Sequence, residues 1–167
     1  MKMKAFHVRS LFAVFLGMTA IVRAQSRPDV SKNFKLDGEH WTYRDGDFAM
    51  NGILLKPEGR GPFPAVLISH GLGGNAESFG LQKAREMVKW GFVCIAPNYT
   101  HNVRPGGPLA KGAGNAPQAD YGASAENIRR AKTCMDLVRD MPDVDAKRLT
   151  AYGHSMGGFV TIGLAAT

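Results

Sequence analysis

The sequence predicts an α/β domain with a parallel sheet. Two short, continuous apolar runs, Ala65–Gly71 ("AVLISHG") and Phe92–Tyr99 ("FVCIAPNY"), flank a stretch of helical period. A strand buried on both faces reads as a continuous apolar run, and strand, helix, strand in succession is the βαβ unit of a parallel sheet. The chain has 167 residues, of which 44% are hydrophobic and 21% charged, enough for one folded core.

The elements follow in order. Lys2, Lys4 and Arg9 precede the uncharged run Leu11–Val22, and "VRA" precedes Gln25. A basic start, a short apolar core and small residues before a cut site describe a signal peptide over 1–24, cleaved after Ala24. An uncleaved anchor is the alternative, although 12 apolar residues fall short of the ~20 that span a bilayer. Residues 25–38 are polar and without period, and are expected to be a flexible mature N-terminus. In "HWTYRDGDFAMNGILLKP", Trp41 and Tyr43 alternate with polar residues, Asp45-Gly46 signals a hairpin, and Pro57 closes a second strand. After the Ala65–Gly71 strand comes a Gly-rich turn, with Ser78 as a candidate cap. Leu81, Ala84, Met87 and Val88 then share one helix face, ended by Gly91. Residues 100–122 form a long Gly/Pro/Ala-rich loop, either functional or a plain surface excursion. "SAENIRRAKTCMDLVRDM" begins near a capping pattern and carries Ile128, Ala131, Met135 and Val138 on one face, with Cys134, Leu137 and Met141 beside it. "DVDAKR" reads as a polar turn, "LTAYG" as a fifth strand and "MGGFVTIGLAA" as a buried helix.

Charge excludes some functions. The net charge is +7, but the leader holds four cations and no acid; the remainder has 17 basic and 14 acidic residues. No basic stripe is interleaved with aromatics, so nucleic acid is not an expected partner. Cys94 and Cys134 sit in apolar patterns as small hydrophobes. They have no metal-ligand spacing, and a disulfide between them needs one strand and one helix to come within reach.

The chemistry is carried by Gly153-His154-Ser155-Met156-Gly157, a Gly-x-Ser-x-Gly pattern between a strand and a helix. Glycines allow the sharp turn that lifts a serine hydroxyl to the top of a sheet, over a helix N-terminus. A phosphate loop would place Lys after its last Gly, where Phe159 stands. Ser155 is the candidate nucleophile. Charge developing on a carbonyl oxygen needs two N–H donors. Met156, the residue after the nucleophile, and Leu72, in the "SHGLGG" turn, are the candidates. His70 reads as a structural residue fixing that turn rather than an acid–base group. His154 faces the same choice, and alternation places it on the opposite side of the strand from Ser155.

From Trp41 to Thr167 the strand order, "HGLGG", "FVCIAPNY" and "GHSMGG" resemble the α/β-hydrolase superfamily. The similarity is to the dienelactone hydrolase group and to exported cutinase-like and acyl-esterase relatives. The resemblance implies a mostly parallel, eight-stranded sheet with flanking helices and Ser, Asp and His in that chain order. It implies no metal and no organic cofactor. Some dienelactone hydrolases carry Cys in place of Ser; Ser155 points to the esterase-like branch. The expected function is an exported serine hydrolase of small-molecule or polymeric carboxylic esters, free of the membrane once the leader is cut.

Only twelve residues follow Ser155, with no His or acid among them. Residues 39–167 therefore read as the N-terminal part of an α/β-hydrolase domain whose C-terminal strands, with the triad Asp and His, are missing. Upstream substitutes are His40 and His101, with Asp120, Asp143 and Asp145; His101 alone follows a strand ending on the active-site side, as base or substrate contact. A serine without a base is a poor nucleophile, by ~10⁴-fold or more in rate. The alternative is thus a non-catalytic remnant or binding module; within the fold, acyltransferase, thioesterase and peptidase remain open.

Overall fold

A computed structural model describes residues 30–102 and 120–167. The signal peptide expected over 1–24, its cut after Ala24, and the middle of the 100–122 loop lie outside the described residues.

After a 3₁₀ turn at Val30–Asn33, β1 (Phe34–Asp37), β2 (His40–Asp45) and β3 (Phe48–Leu55) form an antiparallel meander. β4 (Phe63–Ser69), α1 (Leu81–Met87), β5 (Val93–Pro97), α2 (Ala125–Arg139), β6 (Val144–Gly153) and α3 (Met156–Ala165) complete the chain. The strand order is β1-β2-β3-β5-β4-β6. β3 meets β5 antiparallel, whereas β5, β4 and β6 run parallel. The sheet is mixed, with helices on both faces, which is the α/β-hydrolase architecture; the parallel part is the part that leads to the site.

Strand periodicity sorts the core into two layers. Leu67, Val93 and Ile95 face Ala131, Leu137 and Val138 of α2 and Val160 of α3. Val66, Ile68, Cys94 and Ala96 face Ala84, with Leu81 and Met87 packed against them. Cys94 and Cys134 thus lie on opposite sides of the sheet, both free and buried. Burial pushes the Cys94 thiol up to about 12 and raises Cys134 as well, so both stay protonated hydrophobes.

Three local expectations change. Phe34–Asp37 is a paired edge strand rather than part of a loose terminus, with the Phe34 ring 5.9 Å from that of Trp41. Its other residues are exposed, so no period marks it. β6 begins at Val144, not Leu149: "DVDAKR" is mostly strand, and its polar side chains are tolerated because it borders the sheet. Ala151 and Tyr152 on this strand are half-buried. Asn75, not Ser78, caps the helical turn beginning at Ala76, accepting from the Ser78 N–H at 2.7 Å.

Candidate active site

Adjacent parallel strands β4 and β6 send their outgoing connections to opposite faces. The β4 connection leads to α1, which packs on one side, and the β6 connection to α3, which packs on the other. Such a reversal opens a crevice at the carboxyl ends of the strands. A cavity of about 490 Å³ lies there, lined by Gly71–Gly74, Phe79, His154 and Ser155 among others.

Ser155 joins β6 to α3 at φ 52, ψ −119, and is the one non-glycine with positive φ among the described residues. Its side chain is exposed and its hydroxyl has no hydrogen-bond partner among the described residues. Close packing forces the turn. A Cβ on Gly153 would stand 2.2 Å from the Gly157 carbonyl oxygen, and one on Gly157 would stand 2.2 Å from that of Ser69. Both predicted elbow glycines are therefore required by the approach of β4, β6 and α3.

The Leu72 turn adjoins the serine: a Cβ on Gly71 would lie 3.2 Å from Ser155 Cβ. The Gly71 carbonyl accepts from His70 Nδ1 at 2.9 Å and from the Gly74 N–H at 3.0 Å. Gly71 C=O and Leu72 N–H belong to one planar trans peptide and point oppositely. Holding the carbonyl thus fixes the direction of the Leu72 N–H, which has no partner among the described residues. Met156 opens α3, and its N–H has no partner among the described residues, whereas the Gly157 and Gly158 amides bond back to the His154 and Ser155 carbonyls.

His70 is structural, as expected. A carbonyl only accepts, so Nδ1 carries the proton, and Nε2 accepts the Tyr99 N–H at 3.2 Å. Burial, aided by His101, outweighs the Gly71 bond and drops His70 from 6.5 to about 4. His101 is not placed as a base or substrate contact. It is fully buried, its Nε2 donates to the His70 carbonyl at 3.0 Å, and Nδ1 faces Asn127. Burial lowers its pKa too.

His154 departs from its expected side. β6 ends at Gly153, so strand alternation no longer applies, and His154 borders the same cavity as Ser155. Its ring lies 5.4 Å from Phe79, which stacks on Tyr152 at 6.3 Å. None of the other candidates lines the cavity. His40 lies on β2, near the far edge of the sheet, and Asp143 pairs with Lys56 at 2.9 Å beside the start of β6. Asp145 bonds Arg148 at 2.7 Å, which lowers its pKa. Asp120 contributes its backbone carbonyl, to Ser124 and Asn127. Sequence reasoning missed Tyr99, whose hydroxyl meets Ser69 Oγ at 2.8 Å, and Asn127; the available signal was the polar string "NYTHN" closing an apolar strand. Among the described residues no His, Cys, Asp or Glu cluster could hold a metal.

Residues 50–167 match the dienelactone hydrolase family. Dipeptidyl-peptidase 5 of Porphyromonas gingivalis is 32% identical over 126 residues, which cover 72% of this chain and 18% of that protein. An uncharacterized protein of Mycobacterium tuberculosis is 31% identical over 105 residues, 63% of this chain and 26% of that one. The chain thus spans about a quarter or less of the length of these curated relatives. A dienelactone hydrolase-like promiscuous phosphotriesterase from metagenomic libraries superposes with a TM-score of 0.59 at 27% identity, over 74% of this chain and 51% of that one. An acetyl xylan esterase from Paenibacillus shares the fold, with a TM-score of 0.52 at 20% identity, over 80% and 48%. A crevice at the sheet's switch point, a strained serine between β6 and α3, and a family match reaching from β3 to Thr167 converge: the chain belongs to the dienelactone hydrolase family and has the α/β-hydrolase fold.

Proposed function

We propose that the protein is a serine hydrolase of carboxylic esters. Ser155 attacks the ester carbonyl, its proton passes to a histidine base, and the Leu72 and Met156 N–H groups receive the oxyanion. Collapse of the tetrahedral intermediate releases the alcohol, which takes that proton; water, deprotonated by the same base, then frees the acid and regenerates Ser155. The observation that carries the reading is the strained, unpartnered Ser155 bordering the cavity of the Leu72 turn. The family's chain order assigns the acid and the base to sequence following the nucleophile; none stands between Ser155 and Thr167.

The test is covalent labelling by a fluorophosphonate, with the modified residue located by mass spectrometry. Label at Ser155, abolished in Ser155→Ala, is the expected result; label elsewhere, or none in any longer form of the chain, sinks the assignment. A peptidase is the second reading, favoured by the similarity to the Porphyromonas dipeptidyl-peptidase. Comparing p-nitrophenyl butyrate with a dipeptidyl p-nitroanilide separates the two.

We also propose export through residues 1–24. Expression with the leader intact should yield a product beginning at Gln25 outside the cytoplasm; an uncut N-terminus in the cytosolic fraction overturns this.

A further inference from the structure

Asn127 lies in the first turn of α2, yet its side chain turns away from solvent and is fully buried. Its Oδ1 accepts from the Thr100 N–H at 3.1 Å and lies 3.1 Å from the Thr100 hydroxyl, whose proton goes to the nearer Asp120 carbonyl. Its Nδ2 donates to the carbonyls of Asp120 and Gly122, both at 3.0 Å, and lies 3.4 Å from His101 Nδ1. His101 Nε2 spends its proton on the His70 carbonyl, so Nδ1 is a bare acceptor facing that amide. One carboxamide therefore joins Thr100 and His101, before the segment 103–119, to Asp120 and Gly122 after it.

The Leu72 turn, which lines the crevice, and Met156, which opens α3 beside Ser155, are each within one further contact. His101 grips the Leu72 turn on either side: its ring donates to the His70 carbonyl, and its own carbonyl accepts the Gly73 N–H at 3.2 Å. Gly122 packs on the start of α3, where a Cβ would come within 3.1 Å of Met156 Sδ.

We infer that Asn127 is a positioning residue that holds the Leu72 turn through His101 and the Met156 start of α3 through Gly122. Its consequence for catalysis rests on the serine-hydrolase reading; the coupling itself does not. Only a side chain with both a carbonyl and an NH₂ serves. Asp would face three acceptors with none of the needed protons, and Leu would leave the Thr100 N–H, the Gly122 carbonyl and His101 Nδ1 without their partner in the interior.

The experiment compares the full wild-type chain with Asn127→Asp, Asn127→Leu and, as a control on the exposed side of α2, Lys132→Ala. Three signals are read: the imidazole ¹⁵N shifts of His101, hydrogen exchange of the Gly73 amide relative to that of Ile95, and the rate of fluorophosphonate labelling. Wild type should show His101 protonated at Nε2 alone. The Asn127 variants should shift the His101 signals, exchange Gly73 about tenfold faster and label about tenfold more slowly, as expected for lost buried hydrogen bonds; Lys132→Ala should change none of these. A folded Asn127→Asp with wild-type His101 shifts and Gly73 exchange overturns the inference. If the variants do not fold, a wild-type His101 that is protonated at Nδ1 overturns it as well. If the wild type does not label, the two spectroscopic signals still decide the coupling, so failure of the serine-hydrolase reading and failure of this inference remain distinguishable.

Discussion

Ser155 pays for its place in backbone strain. A non-glycine at φ 52, ψ −119 costs about 1–3 kcal/mol. Ser155→Gly should therefore raise stability by about 1 kcal/mol while removing the proposed nucleophile, which urea denaturation and labelling together would show. Gly157→Ala should do the reverse. Its Cβ would meet the Ser69 carbonyl oxygen at 2.2 Å, and overpacking of this kind costs about 1–3 kcal/mol in the same denaturation measurement. The glycine–serine pattern was legible because its residue types are dictated by local geometry. The three histidines near the crevice show where that legibility ends. His70, His101 and His154 look alike in the sequence, and only their partners separate two locked, neutral, buried rings from one exposed ring at the cavity wall.

At the scale of the element, α2 followed its sequence closely. Ser124 accepts from the Asn127 N–H at 3.3 Å, and Ala131, Cys134, Leu137 and Val138 form the buried face. Ser124→Ala should cost about 1 kcal/mol in thermal or urea unfolding, the usual worth of an N-cap; a loss within error would show that the tertiary contacts of α2 make its cap redundant. β1 and the first half of β6 were harder to read. Each borders the sheet and leaves polar residues in water, so neither shows the apolar run of β4 or the alternation of β2. The π-helical turn Ala76–Gly80 before α1 was likewise invisible, because its start depends on the Asn75 side chain bonding Ser78 rather than on periodicity.

At the scale of the molecule, stability should depend on pH through the buried histidines. The unfolded chain takes up a proton at His70 near 6.5, the folded one only near 4. Between these values the unfolded state binds more protons, so stability is full above the upper value and falls as pH drops toward the lower, by up to about 3 kcal/mol. His101 is shifted in the same direction and adds to the fall. Urea midpoints measured from pH 7.5 down to pH 4.5 should decline, and His70→Gln should flatten that decline; an equal slope in the variant would mean that His70 does not control it. The sequence by itself determined the βαβ core, the helix faces and the turn that presents Ser155, because periodicity, glycine sterics and strand apolarity are properties of neighbouring residues. Only the tertiary structure decided that β4 and β6 lie side by side with their connections on opposite faces, and that Asn127, His101 and His70 form one buried chain of contacts beneath the Leu72 turn. Those hydrogen bonds join residues 31 and 26 positions apart, and a hydrogen bond between distant groups leaves no local pattern to read.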